Sequence, residues 1–211
     1  MSKRKRLGVI AIFIFHLVGA VGMSIEEFKP LFVSLTPAHL LLTLFLFLWS
    51  DSFPLSQIKL FVILFMIGFW VEVVGVKTGI LFGIYKYGPT LGFKFLDVPL
   101  LIGVNWFILA VSTFGIVSYL TKNKYLLIIV SATLMVALDF IIEPVAIHLD
   151  FWTWQNGIIP IQNYVMWWLV SLLMQWIIYS NKLKFSTPIC FAIFISQILF
   201  FTILNLQIGN I

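Results

Sequence analysis

Three carboxyls in this chain stand where carboxyls are costly. Asp139 and Glu143 are four residues apart in LMVALDFIIEPVAIH, a run that is otherwise apolar, and Glu72 lies near the end of another apolar run, LFVILFMIGFWVEVVGV. A spacing of four puts Asp139 and Glu143 on one helical face. A carboxylate in the middle of a hydrocarbon-spanning helix costs about 2.5–3.5 kcal/mol on insertion scales. Two on one face, followed at once by Pro144, call for a function. The bland alternative is an ion pair that holds helices together. A carboxyl away from water can keep its proton and donate it, and the aromatic rings nearby in sequence can stabilise a cation. Together these groups suit protonation of a carbon–carbon double bond in a lipid-soluble molecule.

The composition sets the solvent for that chemistry. Of 211 residues 62% are hydrophobic and only 10% charged, where a soluble domain is about a quarter charged. The mean hydropathy is +1.10. The chain reads as an integral membrane protein, all-α and polytopic, with one membrane domain over residues 1–211 and no separate soluble part. The net charge of +5 belongs to loop residues that set orientation and does not imply nucleic acid. One cysteine, Cys190, permits neither an internal disulfide nor a cysteine metal cluster.

Seven transmembrane helices are predicted. The first, Leu7 to Met23, follows the basic run KRKR; Ala20-Val21-Gly22 is a weak cleavage site, and the segment reads as a retained helix rather than a signal peptide. His16 in its middle reads as a packing residue. The second helix, Leu31 to Trp49, contains Pro37 and should kink near Thr36. After Asp51–Gln57, a turn, the third helix covers Ile58 to Val76. Lys77 to Asp97, with four glycines and a proline, is too interrupted to span and reads as a re-entrant or interfacial segment. The others are Val98–Leu120, Tyr125–Ile147, Asn163–Tyr179, and a last one from the Thr187-Pro188 start to Leu206.

Seven crossings place nine basic residues on the side of the amino terminus and four (Lys29, Lys77, Lys86, Lys94) on the other, which predicts a cytoplasmic amino terminus in a bacterial or archaeal cytoplasmic membrane. On the opposite face, Glu72 and Glu143 lie about 6 Å inside their helix ends, Asn105 about 10 Å, and Asp139 and His39 about 12 Å. Trp70, Trp106, Trp152, Trp154, Trp167 and Trp168 gather at the same face. An interfacial belt would populate both faces, so the asymmetry favours a site. His39 suits either a core hydrogen bond or that cavity.

Zinc-protease, phosphate-loop, nucleophile-elbow and CxxC motifs are absent. The seventh helix lacks the lysine a retinal protein needs. The D-x-x-x-E spacing alone does not make a prenyltransferase, which needs a second acidic motif and cations for the diphosphate.

The run Glu72 to Gly79, then Phe82-Gly83, Tyr85 and Tyr87, Val98-Pro99 with Ile102 and Trp106, Asp139 and Glu143 with Pro144, Trp152 and Trp154, and Pro160, Asn163 and Trp167 follow one another in order. This series resembles the carotenoid-biosynthesis membrane family, which includes carotenoid 1,2-hydratases of the CruF type and bisanhydrobacterioruberin hydratases. The resemblance implies a carotenoid substrate and water added across the terminal C1=C2 bond of an acyclic end group, with no redox cofactor and no oxygen; no metal is expected either, because the carboxyls have few histidines, no cysteine ligand and no diphosphate beside them. On that reading Asp139 is the acid, Glu143 positions or deprotonates water, and Glu72 and Asn105 hold the water or orient the acid. Trp106, Trp154 and Trp167 flank the cation, while Tyr85, Tyr87, Asn163 and His39 complete the substrate surroundings. A carotenoid end-group cyclase, another isoprenoid-modifying enzyme, or a small proton-coupled transporter or sensor are the alternatives. A cyclase product is an isomer of its substrate, and a transporter often shows inverted repeats, which this chain lacks. The oligomeric state is left open.

Overall fold

The computed structural model describes residues 1–51 and 55–209. Of the turn expected at Asp51–Gln57, residues 52–54 lie outside the described residues, while Asp51 ends one helix and Leu55 to Gln57 open the next. Among the described residues eight α-helices follow in order: α1 (Lys3–Ser24), α2 (Lys29–Ser34), α3 (Thr36–Asp51), α4 (Leu55–Thr78), α5 (Leu101–Leu120), α6 (Lys124–His148), α7 (Ile161–Ser180) and α8 (Thr187–Ile208). Between them lie four short strands, β1 (Tyr85–Tyr87), β2 (Lys94–Phe95), β3 (Val98–Pro99) and β4 (Trp152–Trp154).

Six helices, α1 and α4 to α8, are long and apolar enough to cross a membrane. The expected second crossing is divided. α2 and α3 meet at Leu35, and α3 alone has 16 residues, about 24 Å of rise against a hydrocarbon core of about 30 Å. Pro37, second residue of α3, lacks the N–H that would carry α2 onward, so the break falls beside the predicted kink at Thr36.

α5 is the axis of the bundle. From Ile102 to Gly115 nearly every residue is buried, and α3, α4, α6, α7 and α8 all pack on it. Such enclosure needs close approach: a Cβ on Gly68 of α4 would sit 2.5 Å from Trp106 Cβ. Outward rows such as Ile14, Leu17, Val18 and Val21 on α1 are exposed and apolar, as a lipid-facing surface requires. In α6, Pro144 interrupts the backbone ladder, and Asn205 of α8 donates to the Ile141 carbonyl beside the gap at 2.7 Å.

The segment from Lys77 to Asp97 is where the all-helical expectation fails. After α4 ends at Thr78 the chain turns at Gly79 and Gly83, both with positive φ, and enters β1. β1 pairs antiparallel with β4, in the register Tyr85 to Trp154 and Tyr87 to Trp152. β2 and β3 form a hairpin whose two-residue turn, Leu96-Asp97, has positive φ at both positions, the geometry that matches strand twist. Val98 and Pro99 therefore belong to a strand, and α5 starts only at Leu101. Both ribbons lie over the end of the bundle where α4 and α6 terminate.

Candidate active site

YKY and WTW alternate in and out, and their pairing turns Tyr85, Tyr87, Trp152 and Trp154 inward. They meet the carboxyls of α4 and α6. Glu72, 2% exposed, accepts from the Tyr85 hydroxyl and from the Tyr87 hydroxyl at 2.8 Å on Oε2, and from Trp106 Nε1 at 2.9 Å on Oε1. Burial, reinforced by the charge of Glu72, pushes both tyrosine hydroxyls well above their ordinary range, so they remain donors at any physiological pH. Glu143 accepts on Oε2 from the indoles of Trp152 and Trp154, each at 2.9 Å. Its Oε1 accepts from Asn163 Nδ2 at 3.2 Å, and the same amide reaches Asp139 Oδ2 at 3.2 Å.

Each glutamate thus receives three donors, two on Oε2 and one on Oε1; for Glu72 this suits a carboxylate, which only accepts, while Oε1 of Glu143 keeps one position where a proton can sit. Hydrogen bonds to charged groups contribute about 1.5–3 kcal/mol each, which offsets much of the cost of burying a Glu72 carboxylate. Asp139 differs: among the described residues it has one donor, the Asn163 amide.

Glu72 and Glu143 line the same small cavity with Phe82, Ile102, Trp154 and Trp167. Its volume is about 20 Å³, room for about one water molecule. Trp167 is backed by Trp106 in a stack with centroids 3.9 Å apart and planes 18° from parallel. Trp106 itself, fully buried, holds Glu72 from behind rather than lining the cavity. Asp139 also stands behind the wall, through Asn163.

The structure divides the residues expected at the site into two groups. Glu72, Glu143, Asp139, Tyr85, Tyr87, Trp106, Trp154, Asn163 and Trp167 form the cluster. Asn105 and His39 line a second cavity of about 80 Å³, between α1, α3, α5 and α8, which touches the first through Ile102 and Trp152. Trp70 is 44% exposed, and Trp168 pairs with Thr133 on an exposed face, so neither joins the site. Trp152, given no role from the sequence, joins the cluster as a donor to Glu143, and the alternation WTW facing YKY was the available signal. Among the described residues no group of three His, Cys, Asp or Glu side chains is placed to hold a metal ion.

A mostly helical membrane protein with buried, donor-saturated carboxyls at one end of its bundle is the class that fold and site define. Residues 29–211 match the family model described as "Carotenoid biosynthesis protein", and the chain belongs to that family. It is 31% identical over 173 residues to a bisanhydrobacterioruberin hydratase of Haloarcula japonica, a match that covers 74% of this chain and 59% of the relative. The chain therefore spans less than two thirds of that relative's length. No solved structure matches.

Proposed function

We propose that this protein is a carotenoid hydratase, adding water across the terminal C1=C2 bond of an acyclic carotenoid end group. The observation that carries this reading is the pair Glu72 and Glu143 on the walls of a water-sized cavity lined by aromatic rings. The family and the hydratase relative support the substrate class and the reaction type.

Glu143 carries the proton. It lines the cavity, and Asp139, one turn deeper on the same helix, shares Asn163 with it. Two buried carboxyls so close do not both ionise readily, so the pair keeps a proton between them. Transfer of that proton from Glu143 to C2 leaves a tertiary cation at C1, facing the rings of Trp154 and Trp167 and the carboxylate of Glu72. Water bonds through its oxygen to C1 and gives its spare proton to Glu72. The product is a tertiary alcohol, and return of a proton from Glu72 to the Asp139–Glu143 pair by way of water restores the site. This assignment moves the acid from Asp139, the deepest carboxyl, to the one that faces the cavity. Asp139 becomes the group that sets the charge of its neighbour.

The same reading carries a topology. α2 and α3 together make a broken crossing, giving seven, and the ribbons of residues 79–100 and 149–160 cover the site at the membrane interface away from the cytoplasm. The nine-to-four excess of basic residues on the amino-terminal side supports that orientation. A cysteine introduced at exposed Asn156, with Cys190 replaced, should react with an impermeant reagent added outside intact cells; labelling only after lysis would reverse the orientation.

The function itself is tested by pigment mass in a host that makes an acyclic carotenoid. Expression of the chain should yield products one or two waters heavier than the substrate. An isomer of unchanged mass would identify a cyclase, in which an alkene rather than water captures the same cation.

A further inference from the structure

The second cavity carries an inference of its own. Its wall is mainly apolar, yet it includes His39, Gln197 and Thr36, and each of these has a buried polar atom with no hydrogen-bond partner among the described residues: His39 Nε2, Gln197 Oε1 and Thr36 Oγ1. Buried polar atoms in native proteins nearly always find a partner, in the protein or in ordered water; three that find none among the described residues and line one space make it a candidate binding site. His16 is not among them. Its Nδ1 donates to the Ile12 carbonyl at 2.8 Å, and its ring meets the His39 ring edge-on with centroids 4.5 Å apart.

The ligand's shape follows from the two ends of the cavity. At one end Met23, His39 and Phe200 also line an apolar groove between α1, α2 and α3. Phe15, Val18 and Leu35, the groove's outer residues, lie on the exposed apolar surface of the bundle. At the other end Ile102 and Trp152 are shared with the carboxyl cavity. A chain lying along this line would enter from the lipid and end against Glu143.

We propose that the cavity between α1, α3 and α8 binds an isoprenoid chain carrying a hydroxyl group, with Gln197 Oε1 accepting from the hydroxyl and His39 Nε2 as its second partner. An alcohol supplies both a donor and an acceptor, which matches an amide oxygen and an imidazole nitrogen. Resting on the hydratase reading, the hydroxyl is that of the tertiary alcohol just formed, held one step back from the carboxyls. The site then favours the alcohol over the alkene and draws product out of the reacting cavity.

The test is binding, not turnover. Full-length protein bearing Glu143→Gln, so that nothing is converted, is titrated in lipid nanodiscs with two acyclic polyenes of equal length, one carrying a terminal tertiary hydroxyl and one not. Quenching of tryptophan fluorescence reads the affinity. The alcohol should bind about fivefold to tenfold more tightly, the worth of one or two net hydrogen bonds. His39→Phe should remove that preference while polyene binding persists. Gln197→Leu, close in volume, should do the same and serves if the histidine variant does not fold. Equal affinity for the two polyenes would overturn the proposal and leave water as the occupant of the polar wall. A preference that survives both substitutions would overturn it too. Wild-type protein that binds the alcohol selectively but adds no water to the alkene would refute the hydratase reading alone.

Discussion

The two cavities share a wall and differ in how their polar atoms are satisfied. Around Glu72 and Glu143 every carboxyl oxygen has a donor, supplied by Tyr85, Tyr87, Trp106, Trp152, Trp154 and Asn163. Around His39 and Gln197 polar atoms are buried without partners. The first arrangement is that of a preorganised site, whose dipoles are fixed before charge develops and need not reorganise during reaction. The second is that of a binding space completed by its ligand. On the proposed function the difference separates chemistry from recognition, with the Trp152 indole belonging to both walls.

The largest expected effect breaks the first cavity. Glu143→Gln keeps the shape and the amide can still meet Asn163, but the transferable proton is gone. Turnover should fall about 10³–10⁴-fold, the upper range for general acid catalysis. Asp139→Asn, behind the wall, should cost less, about 10–100-fold, with a shifted pH dependence of turnover rather than abolition. Matched protein levels and thermal stability in detergent are the controls. If Asp139→Asn is the more damaging of the two, the acid is Asp139 after all.

A smaller effect tests the support of Glu72. Trp106→Phe removes one of three donors and should lower turnover about 10-fold, since a hydrogen bond to a charged group contributes about 1.5–3 kcal/mol. Polyene binding in the second cavity should be unchanged, because Trp106 does not line it. A parallel loss of binding would show that the two cavities are not separable.

Gly68→Ala attacks the same contact through packing. The added methyl would lie 2.5 Å from Trp106 Cβ, within the axis of the bundle, so either α4 or the indole must move. Overpacking of this kind costs about 1–3 kcal/mol, and the loss should appear as a lower melting temperature together with reduced turnover.

The smallest effect is expected at Asp97, which pairs with Lys77 at 2.5 Å on the exposed hairpin turn. Lys77 holds the Asp97 carboxyl below its ordinary range, through the hydrogen bond and then its charge. A lowered carboxyl contributes stability above its unfolded value and loses it as pH falls through the folded one. Because the pair is solvent-exposed, Asp97→Asn should leave the melting temperature and turnover nearly unchanged at neutral pH. A marked loss would mean that the hairpin helps to hold the site closed.

Much of the first cavity was legible because it rests on local periodicity. Asp139 and Glu143 share a face by their spacing, and counting residues from helix ends put Glu72, Asn105 and His39 in the same layer. What the sequence concealed depends on pairing across long separations. β1 and β4 are joined over more than sixty residues, and three-residue strands give too short an alternation to recognise without the partner. Their pairing is what aims Tyr85, Tyr87, Trp152 and Trp154 at the carboxyls as donors. The division of one polar layer into two cavities was equally hidden, because depth along a helix says nothing about which side of Ile102 or Trp152 a group faces. The proline in α3 did announce the break at Leu35, since its missing N–H is a local property.

The central claim is that Glu143 protonates carbon and water captures the cation. Purified protein given an acyclic carotenoid in deuterium oxide enriched in oxygen-18 reads both events in one mass spectrum. Each hydrated end should gain one non-exchangeable deuterium on the carbon beside the new alcohol and one oxygen-18 in the hydroxyl, and Glu143→Gln should incorporate neither. Deuterium on carbon without oxygen-18 would mean that protonation occurs and water is not the nucleophile. Incorporation of both at a near wild-type rate by Glu143→Gln would contradict the account of the site.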